Sequence, residues 1–249
     1  MEAKLKYYLQ IADNALILSH RLGEYSSNGP FLEEDLATTN VALDLLGMAE
    51  STLNAAAQLE GKGRSGDDLA YRRAENEFVN CLLVEQPNTD FAFLMIRQFF
   101  TDAFHFYFFT ELTKSNDEFL SSLAFKSLKE TTYHLRRSSE WMIRLGAGTS
   151  ESKDRTQHAV DKLWKYSADF FIPSEADEIA WENGYGVSLE NVSIQWQQKV
   201  KEIFYMSQLT IPTNGFEVTG GKNGIHTEHL GLILAEMQFL PNKYPDAVW

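Results

Sequence analysis

The sequence predicts an all-α protein, and two observations carry that prediction. Apolar residues recur at steps of three and four along almost the whole chain, and no segment alternates with the period of two that a strand requires. Turn signals separate the periodic segments, first at 28–30 and again at 61–63 and 86–88. At 249 residues the chain can bury a substantial core, so we expect a single domain spanning residues 1–249.

Four long helices follow from this pattern. The first has one apolar stripe and ends before the turn at 28–30, and the second begins at the acidic residues 33–35 and stops at Gly61. The third covers 90–113, and the fourth begins after a capping box formed by Ser115 and Glu118 and ends at Gly146. Shorter helices are expected at 67–84, 150–171, 188–206 and 224–240, the last closed by Pro241.

The spacing of these helices predicts how they connect. The first pair and the second pair each have a short link, whereas a long connection with its own short helix joins the second helix to the third. A crossover of that kind is what a ferritin-like four-helix bundle needs, here with additional flanking helices. The third helix is crowded with phenylalanine between 99 and 109, so it lies either in the protein's own core or partly on a partner surface.

Composition and charge exclude several classes of function. The single cysteine, Cys81, allows no internal disulfide and no cysteine-based zinc site, which fits a reducing cytoplasm. No run of eighteen uncharged apolar residues and no signal sequence occurs, so neither a membrane span nor secretion is expected. A net charge of −13 argues against nucleic acid and leaves room for a basic partner protein.

The chemistry suggested by the sequence is that of paired carboxylates. One acidic residue lies within an apolar stretch of each long helix: Asp13, Asp44, Asp102 and Glu130. Carboxylate-bridged di-metal bundles take one acid from each of two helices and Glu-x-x-His from each of the other two. The third residue after Asp44 is Gly47 and the third after Glu130 is Tyr133, so neither pair supplies an imidazole.

Two interpretations of these acids remain open. His134, four residues after Glu130, is the closest replacement for a missing ligand, so that Asp13, Asp44, Asp102, Glu130 and His134 could form a working metal site. Alternatively the same residues form a vestigial polar cluster without metal, whose buried acids are protonated or paired with cations. The candidate cations are Arg97, His105, His134 and Arg137.

The string HTEHLG at 226–231 is a second candidate metal-binding motif, because it contains two histidines. Its two histidines are too close together for the His-Glu-x-x-His arrangement of zinc proteases. We therefore expect His226 and Thr227 to cap the start of the last helix, with His229 in a polar patch between helices.

Several strings resemble the C-type subunits of phenylacetyl-CoA ring-1,2-epoxidases. They are ADNALILSHRL at 12–22, GPFLEED at 29–35, NVALDLLG at 40–47, DDLAY at 67–71, EQPNTDFA at 85–92, LKE with YHLR at 128–136, HTEHLG at 226–231 and AEMQ at 235–238. They run from the first helix to the last, so the resemblance covers essentially the whole chain. It implies a ferritin-like bundle that pairs with a homologous catalytic oxygenase subunit, the A-type subunit, in which the di-iron centre lies.

The resemblance also implies a role in an assembly. In this family small further subunits and a flavin/iron–sulfur reductase complete a complex that epoxidises the ring of phenylacetyl-CoA, and the C-type subunit is structural because its metal ligands are lost. Gly47 and Tyr133 agree with that loss. We therefore expect no cofactor in this chain, and a homodimer when it is alone. The candidate contacts with CoA are Arg21, Arg136 and Lys222. The alternative is an independent ferritin-like di-metal oxidase or metal-binding protein.

Overall fold

The predicted all-α class is confirmed by a computed structural model that describes residues 1–213, 215–245 and 247. Those residues form ten α-helices and no strand. None of the helices in these ranges is long and apolar enough to cross a membrane. The backbone divides into two compact units: the first comprises Met1–Pro87 and Gly220–Trp249, and the second comprises Asn88–Thr219. The single domain expected from the sequence stays a prediction.

The first unit is built on a hairpin of two long helices. These are α1 (Glu2–Glu24) and α2 (Leu32–Glu60), which pack along each other. The stop predicted at Gly61 is confirmed, because this residue has φ +66° in the left-handed region and its N–H donates to the Ala57 carbonyl. Apolar residues of the predicted α1 stripe such as Leu16 and Leu22 are buried, and so are Ile17 and Leu18, which lie outside that stripe.

The connection after α2 departs from the sequence prediction, which placed one helix at 67–84. Only α3 (Gly66–Tyr71) is α-helical, and a 3-10 turn at Glu75–Glu77 follows it. Two backbone N–H groups of the next segment bond to side chains of α1 and not to a helical ladder. Val79 N donates to Asp13 Oδ2 at 3.0 Å, and Cys81 N donates to Asn14 Oδ1 at 2.8 Å. Tertiary hydrogen bonds thus replace the helical ladder that local propensity favours.

The C-terminal part of the first unit also differs from its prediction. The helix expected at 224–240 is α9 (Glu228–Met237), followed by α10 (Phe239–Lys243). Pro241 does not end the preceding helix but lies in the first turn of α10, where a backbone N–H has no partner within the helix.

The second unit contains the remaining helices. They are α4 (Phe91–Leu112), α5 (Glu118–Gly146), α6 (Ser150–Leu163), α7 (Glu175–Glu182) and α8 (Leu189–Ser207). The predicted bounds of α4 are confirmed to one residue at each end, and the Asp90 carboxylate caps it by accepting from Phe93 N at 2.8 Å. The segment predicted as one helix at 150–171 changes to a 3-10 turn at Trp164–Phe170. Helix α7 was not predicted from the sequence.

The predicted capping box at the start of α5 is wrong. Asp117, not Ser115, is the cap, and its carboxylate accepts from Leu120 N at 2.9 Å. The Ser115 hydroxyl instead donates to the Tyr185 carbonyl at 2.8 Å. A hydrogen bond to a residue seventy positions away thus takes the side chain that local spacing assigned to the helix end.

The phenylalanine-rich α4 lies in the core of the second unit, where it packs against α5, α6 and α8. Its buried phenylalanines are Phe99, Phe100, Phe104, Phe108 and Phe109. Phe104 stacks on Phe170 with ring centroids 4.4 Å apart, and the indole N–H of Trp196 donates to the Phe100 carbonyl at 2.9 Å. Of the two roles open for α4, the structure favours the protein's own core.

Candidate functional site

The predicted acids divide between the two units. Asp13 and Asp44 lie in the first unit, and Asp102 and Glu130 lie in the second together with His134. Within the described ranges, no group of three or more His, Cys, Asp or Glu side chains is arranged so that it could hold a metal ion. Each unit nevertheless has its own buried acidic network.

Asp13 forms a buried ion pair with Arg73. The two guanidinium nitrogens Nη1 and Nη2 bond one carboxylate oxygen each, the first at 3.0 Å, and Val79 N adds a third donor. Both side chains are almost inaccessible to solvent. The same guanidinium also donates to the carbonyls of Leu69 and Glu77 and lies over the Phe78 ring. The carboxylate is therefore neutralised within the chain and poorly suited to bind a metal ion.

Arg73 was not predicted as a site residue, because its partner lies sixty residues away and no local spacing connects them. None of the four cations proposed from the sequence is the partner of Asp13. The only signal in the sequence was an arginine shortly before the apolar run at 78–84, where an unpaired guanidinium would be costly to bury.

Asp44 and Gly47 lie on α2, where both are half-buried. A Cβ atom added at Gly47 would meet no other atom within 4 Å. Position 47 therefore borders open space, so the fold leaves room for a side chain that the sequence does not provide there.

Glu85 is the centre of a second buried network in the first unit, which was also missed in the sequence. Its Oε1 accepts from both the N–H and the hydroxyl of Thr227, each at 2.7 Å. Its Oε2 accepts from Asn80 Nδ2 at 3.0 Å and lies 2.9 Å from His226 Nδ1. A completely buried carboxylate with four polar contacts is fully satisfied.

His226 and Thr227 therefore do not cap α9 as predicted. Thr227 occupies the cap position, but its side chain makes no capping bond and donates to Glu85 instead. The two ring nitrogens of His226 face Glu85 and, at 2.9 Å, the Phe78 carbonyl, which can only accept. Burial alone would lower the pKa of His226, but the hydrogen bonds to Glu85 and Phe78 outweigh it and raise the pKa.

Asp102 has a different environment in the second unit. It is buried in the middle of α4, and its Oδ1 accepts from Gln98 Nε2 at 2.5 Å. Burial raises the pKa of Asp102 to about 6, although the nearby charges of His134 and Arg137 and hydrogen bonds from Ser138 and Gln98 partly oppose that shift. His134 and Arg137, two of the cations expected from the sequence to neutralise a buried acid, thus lie near Asp102. Burial nevertheless still disfavours the charged form of Asp102.

Two histidines accompany Asp102. His105 lies on the same face of α4, three residues later, and His134 comes from α5; both are buried. Burial, together with the neighbouring His134, lowers the pKa of His105 to about 3. His105 is therefore neutral at physiological pH.

On α5 the inward position is 134 and not 133. His134 is buried, whereas Tyr133 is 53% exposed and Glu130 is half-buried. The position three residues after Glu130, where a metal-ligating histidine would be expected, is thus occupied by Tyr133 and faces solvent in this chain. The use of Asp44, Glu130 and His134 in a metal site or in its remnant stays a prediction.

The three candidate CoA contacts differ in accessibility. Arg21 is buried, and its donors bond the Glu85 carbonyl at 2.8 and 3.0 Å, the His229 carbonyl at 3.2 Å and the Glu24 carboxylate. Lys222 is buried as well. Arg136 is well exposed and forms a surface ion pair with Glu140 at 3.2 Å. Contact with CoA stays a prediction, for which Arg136 has the most accessible charge.

These features define a class of protein: an all-helical chain with a long helical hairpin in the first unit, an α4–α5 pair in the second, and buried acids in both units. The chain belongs to the phenylacetic acid catabolic protein family, whose model matches residues 1–249. Its all-α structure is consistent with the ferritin-like class predicted from the sequence. A curated relative is the C-type subunit of the 1,2-phenylacetyl-CoA epoxidase of Escherichia coli strain K12. The two are 44% identical over 243 residues, which is 98% of each chain.

Proposed function

We propose that this chain is the non-catalytic structural subunit of a cytoplasmic phenylacetyl-CoA 1,2-epoxidase in phenylacetate catabolism. It supports a homologous catalytic subunit that holds the di-iron centre, within a complex that also contains further small subunits and a flavin/iron–sulfur reductase. The 44% identity to a C-type epoxidase subunit over nearly the whole chain supports the assembly. The chain itself would carry no cofactor.

The observation that carries the non-catalytic role is the Asp13–Arg73 ion pair. A metal ligand must offer free lone pairs, but three donors already engage three of the about four lone pairs of the Asp13 carboxylate. Recruiting Asp13 to a metal would leave the Arg73 guanidinium buried without its partner, which costs several kcal/mol, of the order of 3–5. An independent di-metal oxidase using Asp13 is therefore the weaker candidate.

An exposed leucine stripe on α2 is our candidate surface for the catalytic subunit. It consists of Leu32, Leu36, Leu43 and Leu46, all of them exposed. At 100° per residue these positions fall within about 80° of each other around the helix. Gly47 borders the stripe, and the open space there would allow a partner helix to approach closely. An exposed apolar stripe of this kind, here interrupted by Thr39, is typical of an interaction surface.

Co-expression with the homologous catalytic subunit from the same organism tests this proposal. The wild-type chain should co-purify with it. The double variant Leu36→Glu/Leu43→Glu should reduce co-purification by about tenfold or more, because it places two charges in an apolar interface. Both leucines are more than half exposed, at 54% and 59%, so the variant should fold normally by circular dichroism.

The matched control is Leu232→Glu, the same chemical change at an exposed leucine of α9. It should co-purify as the wild type does. If the wild-type chain does not bind the catalytic subunit, the proposed function is wrong. If it binds and the double variant binds equally well, only the assignment of the interface to α2 is wrong.

A further inference from the structure

A pocket of about 430 Å³ lies in the second unit, between α7 and the start of α8. Its apolar wall includes Trp181 of α7 and Ile194 of α8, together with Phe171 and Pro173 from the segment before α7. Trp181 is 54% exposed and Ile194 is 59% exposed, although both belong to helices whose other faces are buried. An exposed tryptophan beside a concave apolar surface is a typical anchor point for a partner protein.

The backbone holds this pocket in one shape. After α7 the chain turns through Gly184, which has φ +75°, and the N–H groups of Tyr185 and Gly186 both donate to the Ala180 carbonyl, at 3.1 and 2.9 Å. The loop before α5 supports the same turn, because Asn116 N donates to the Gly184 carbonyl at 3.0 Å. The pocket is therefore preorganised, which reduces the entropic cost of binding a partner.

The charged residues that line the pocket indicate which kind of partner segment would fit it. Glu178 and Glu190 line it and are exposed, and no Lys or Arg is among the described residues of its lining. A third acid, Asp177, accepts from the N–H and the hydroxyl of Ser174 in the capping box of α7, so it belongs to the fold. An acidic rim around an apolar floor is complementary to a segment that carries Lys or Arg beside an apolar side chain.

Other occupants fit less well. A CoA nucleotide is polyanionic and would be repelled by the two glutamates. A second copy of this chain brings a net charge of −13. We infer that this pocket, defined by Trp181, Ile194, Glu178 and Glu190, binds a basic segment of another protein in the assembly, with an apolar side chain inserted between Trp181 and Ile194. The inference rests on the proposed function.

Site-specific crosslinking in the co-expressed complex tests the inference. The photoreactive residue p-benzoylphenylalanine is placed at position 194, and the crosslinked peptides are identified by mass spectrometry. We expect a crosslink to another protein of the complex, within a peptide that carries Lys or Arg next to an apolar residue. The same photoreactive residue at Tyr205, which is exposed on α8 outside the pocket, should not crosslink that peptide.

Charge and shape variants then measure the contribution of the pocket. Glu178→Lys/Glu190→Lys and Trp181→Ala should each weaken binding of the crosslinked protein by about tenfold or more, measured by isothermal titration calorimetry. Glu182→Lys is the matched control, because Glu182 is exposed on the same helix but does not line the pocket. It should change the affinity by less than about twofold, and added salt should weaken the wild-type interaction.

The outcomes separate the two proposals. If the other proteins of the complex co-purify but position 194 crosslinks only to a second copy or to nothing, the pocket inference is overturned while the proposed function stands. If the two Glu→Lys changes leave the affinity unaltered or increase it, the basic occupant is overturned. If no other protein of the complex co-purifies with the chain, both proposals are overturned.

Discussion

The two units treat their buried acids differently. In the first unit Asp13 and Glu85 are each surrounded by donors, so that Arg73 neutralises one and His226, Thr227 and Asn80 satisfy the other. In the second unit Asp102 is equally buried, but burial outweighs its neighbours and raises its pKa to about 6. Asp13 and Asp102, which each lie within an apolar stretch of a long helix, are thus buried in different electrostatic environments.

Under the proposed structural role, this difference shows two ways in which a helical bundle can bury acids without a metal ion. A buried carboxylate that loses its metal ion must find another positive charge or accept a proton. In the first unit Arg73 supplies the positive charge beside Asp13. In the second unit the raised pKa means that Asp102 accepts a proton more readily than it would in water. Three substitutions test this comparison, in order of decreasing expected effect.

Removal of the cation in the first unit should have the largest effect. Arg73→Met leaves Asp13 buried without its ion-pair partner and should lower the free energy of unfolding by about 3–5 kcal/mol, measured by urea denaturation. Arg72→Met is the matched control, because Arg72 is exposed, where it pairs with Asp68 at 3.2 Å and donates to the Pro245 carbonyl at 2.9 Å. Its loss should cost less than about 1 kcal/mol.

A double variant shows whether charge is the reason. In an Asp13→Asn background no carboxylate is left unpaired, so Arg73→Met should cost clearly less than in the wild type. Equal costs in both backgrounds would mean that packing, rather than the ion pair, makes Arg73 important.

In the second unit the corresponding change should stabilise the protein. Because the pKa of Asp102 is raised in the folded state, that state binds the proton more tightly than the unfolded chain, and stability falls as pH rises from about 4 through about 6. The Asp102→Asn side chain is neutral at every pH, so it avoids the cost of burying an ionised carboxylate at high pH. It should exceed the wild type in stability by up to about 3 kcal/mol at pH 8 and by little at pH 4, measured by urea denaturation at both pH values.

The same substitution at Asp154, which is exposed on α6 of this unit, serves as the control. It should change stability by less than about 0.5 kcal/mol at either pH. If Asp102→Asn instead lowered stability at pH 8, the Asp102 carboxylate would be stabilised by its neighbours as strongly as Asp13 and Glu85 are. The contrast between the two units would then disappear.

Glu85→Gln should have the smallest effect of the three, a loss of about 2 kcal/mol, because an amide group replaces one acceptor oxygen among donors. It should also change the pH dependence. The pKa of His226 is raised, so its stabilising contribution is complete below about 6.5 and is lost as pH rises through the folded-state pKa. Glu85→Gln should remove most of that dependence, as followed by thermal denaturation between pH 5 and pH 9.

A second substitution separates this effect from a general loss of packing. His226→Asn should remove the same pH dependence in the wild type and have no further effect on it in the Glu85→Gln background. A pH dependence that survives both changes would assign it to other groups and leave Glu85 as a purely packed residue.

The fold could be predicted from the sequence further than the site. The bounds of α4 and the stop at Gly61 follow from periodicity and from local turn chemistry, and both are confirmed. Segments whose backbone donors bond to distant side chains were predicted wrongly, as at 78–81, where Asp13 and Asn14 take the hydrogen bonds. Helical spacing tells which residues share a face of one helix, but Arg73 and Glu85 find their partners across sixty residues or more.

Metal content is the decisive measurement for the proposal that this chain is a structural subunit whose acids serve the fold. The protein should be purified from iron-replete cells both alone and as the complex with the catalytic subunit. The iron content of both samples should then be measured by inductively coupled plasma mass spectrometry. We expect substoichiometric iron in the isolated chain and stoichiometric iron in the complex. Stoichiometric iron in the isolated chain, with a colour that depends on oxygen, would contradict the proposal.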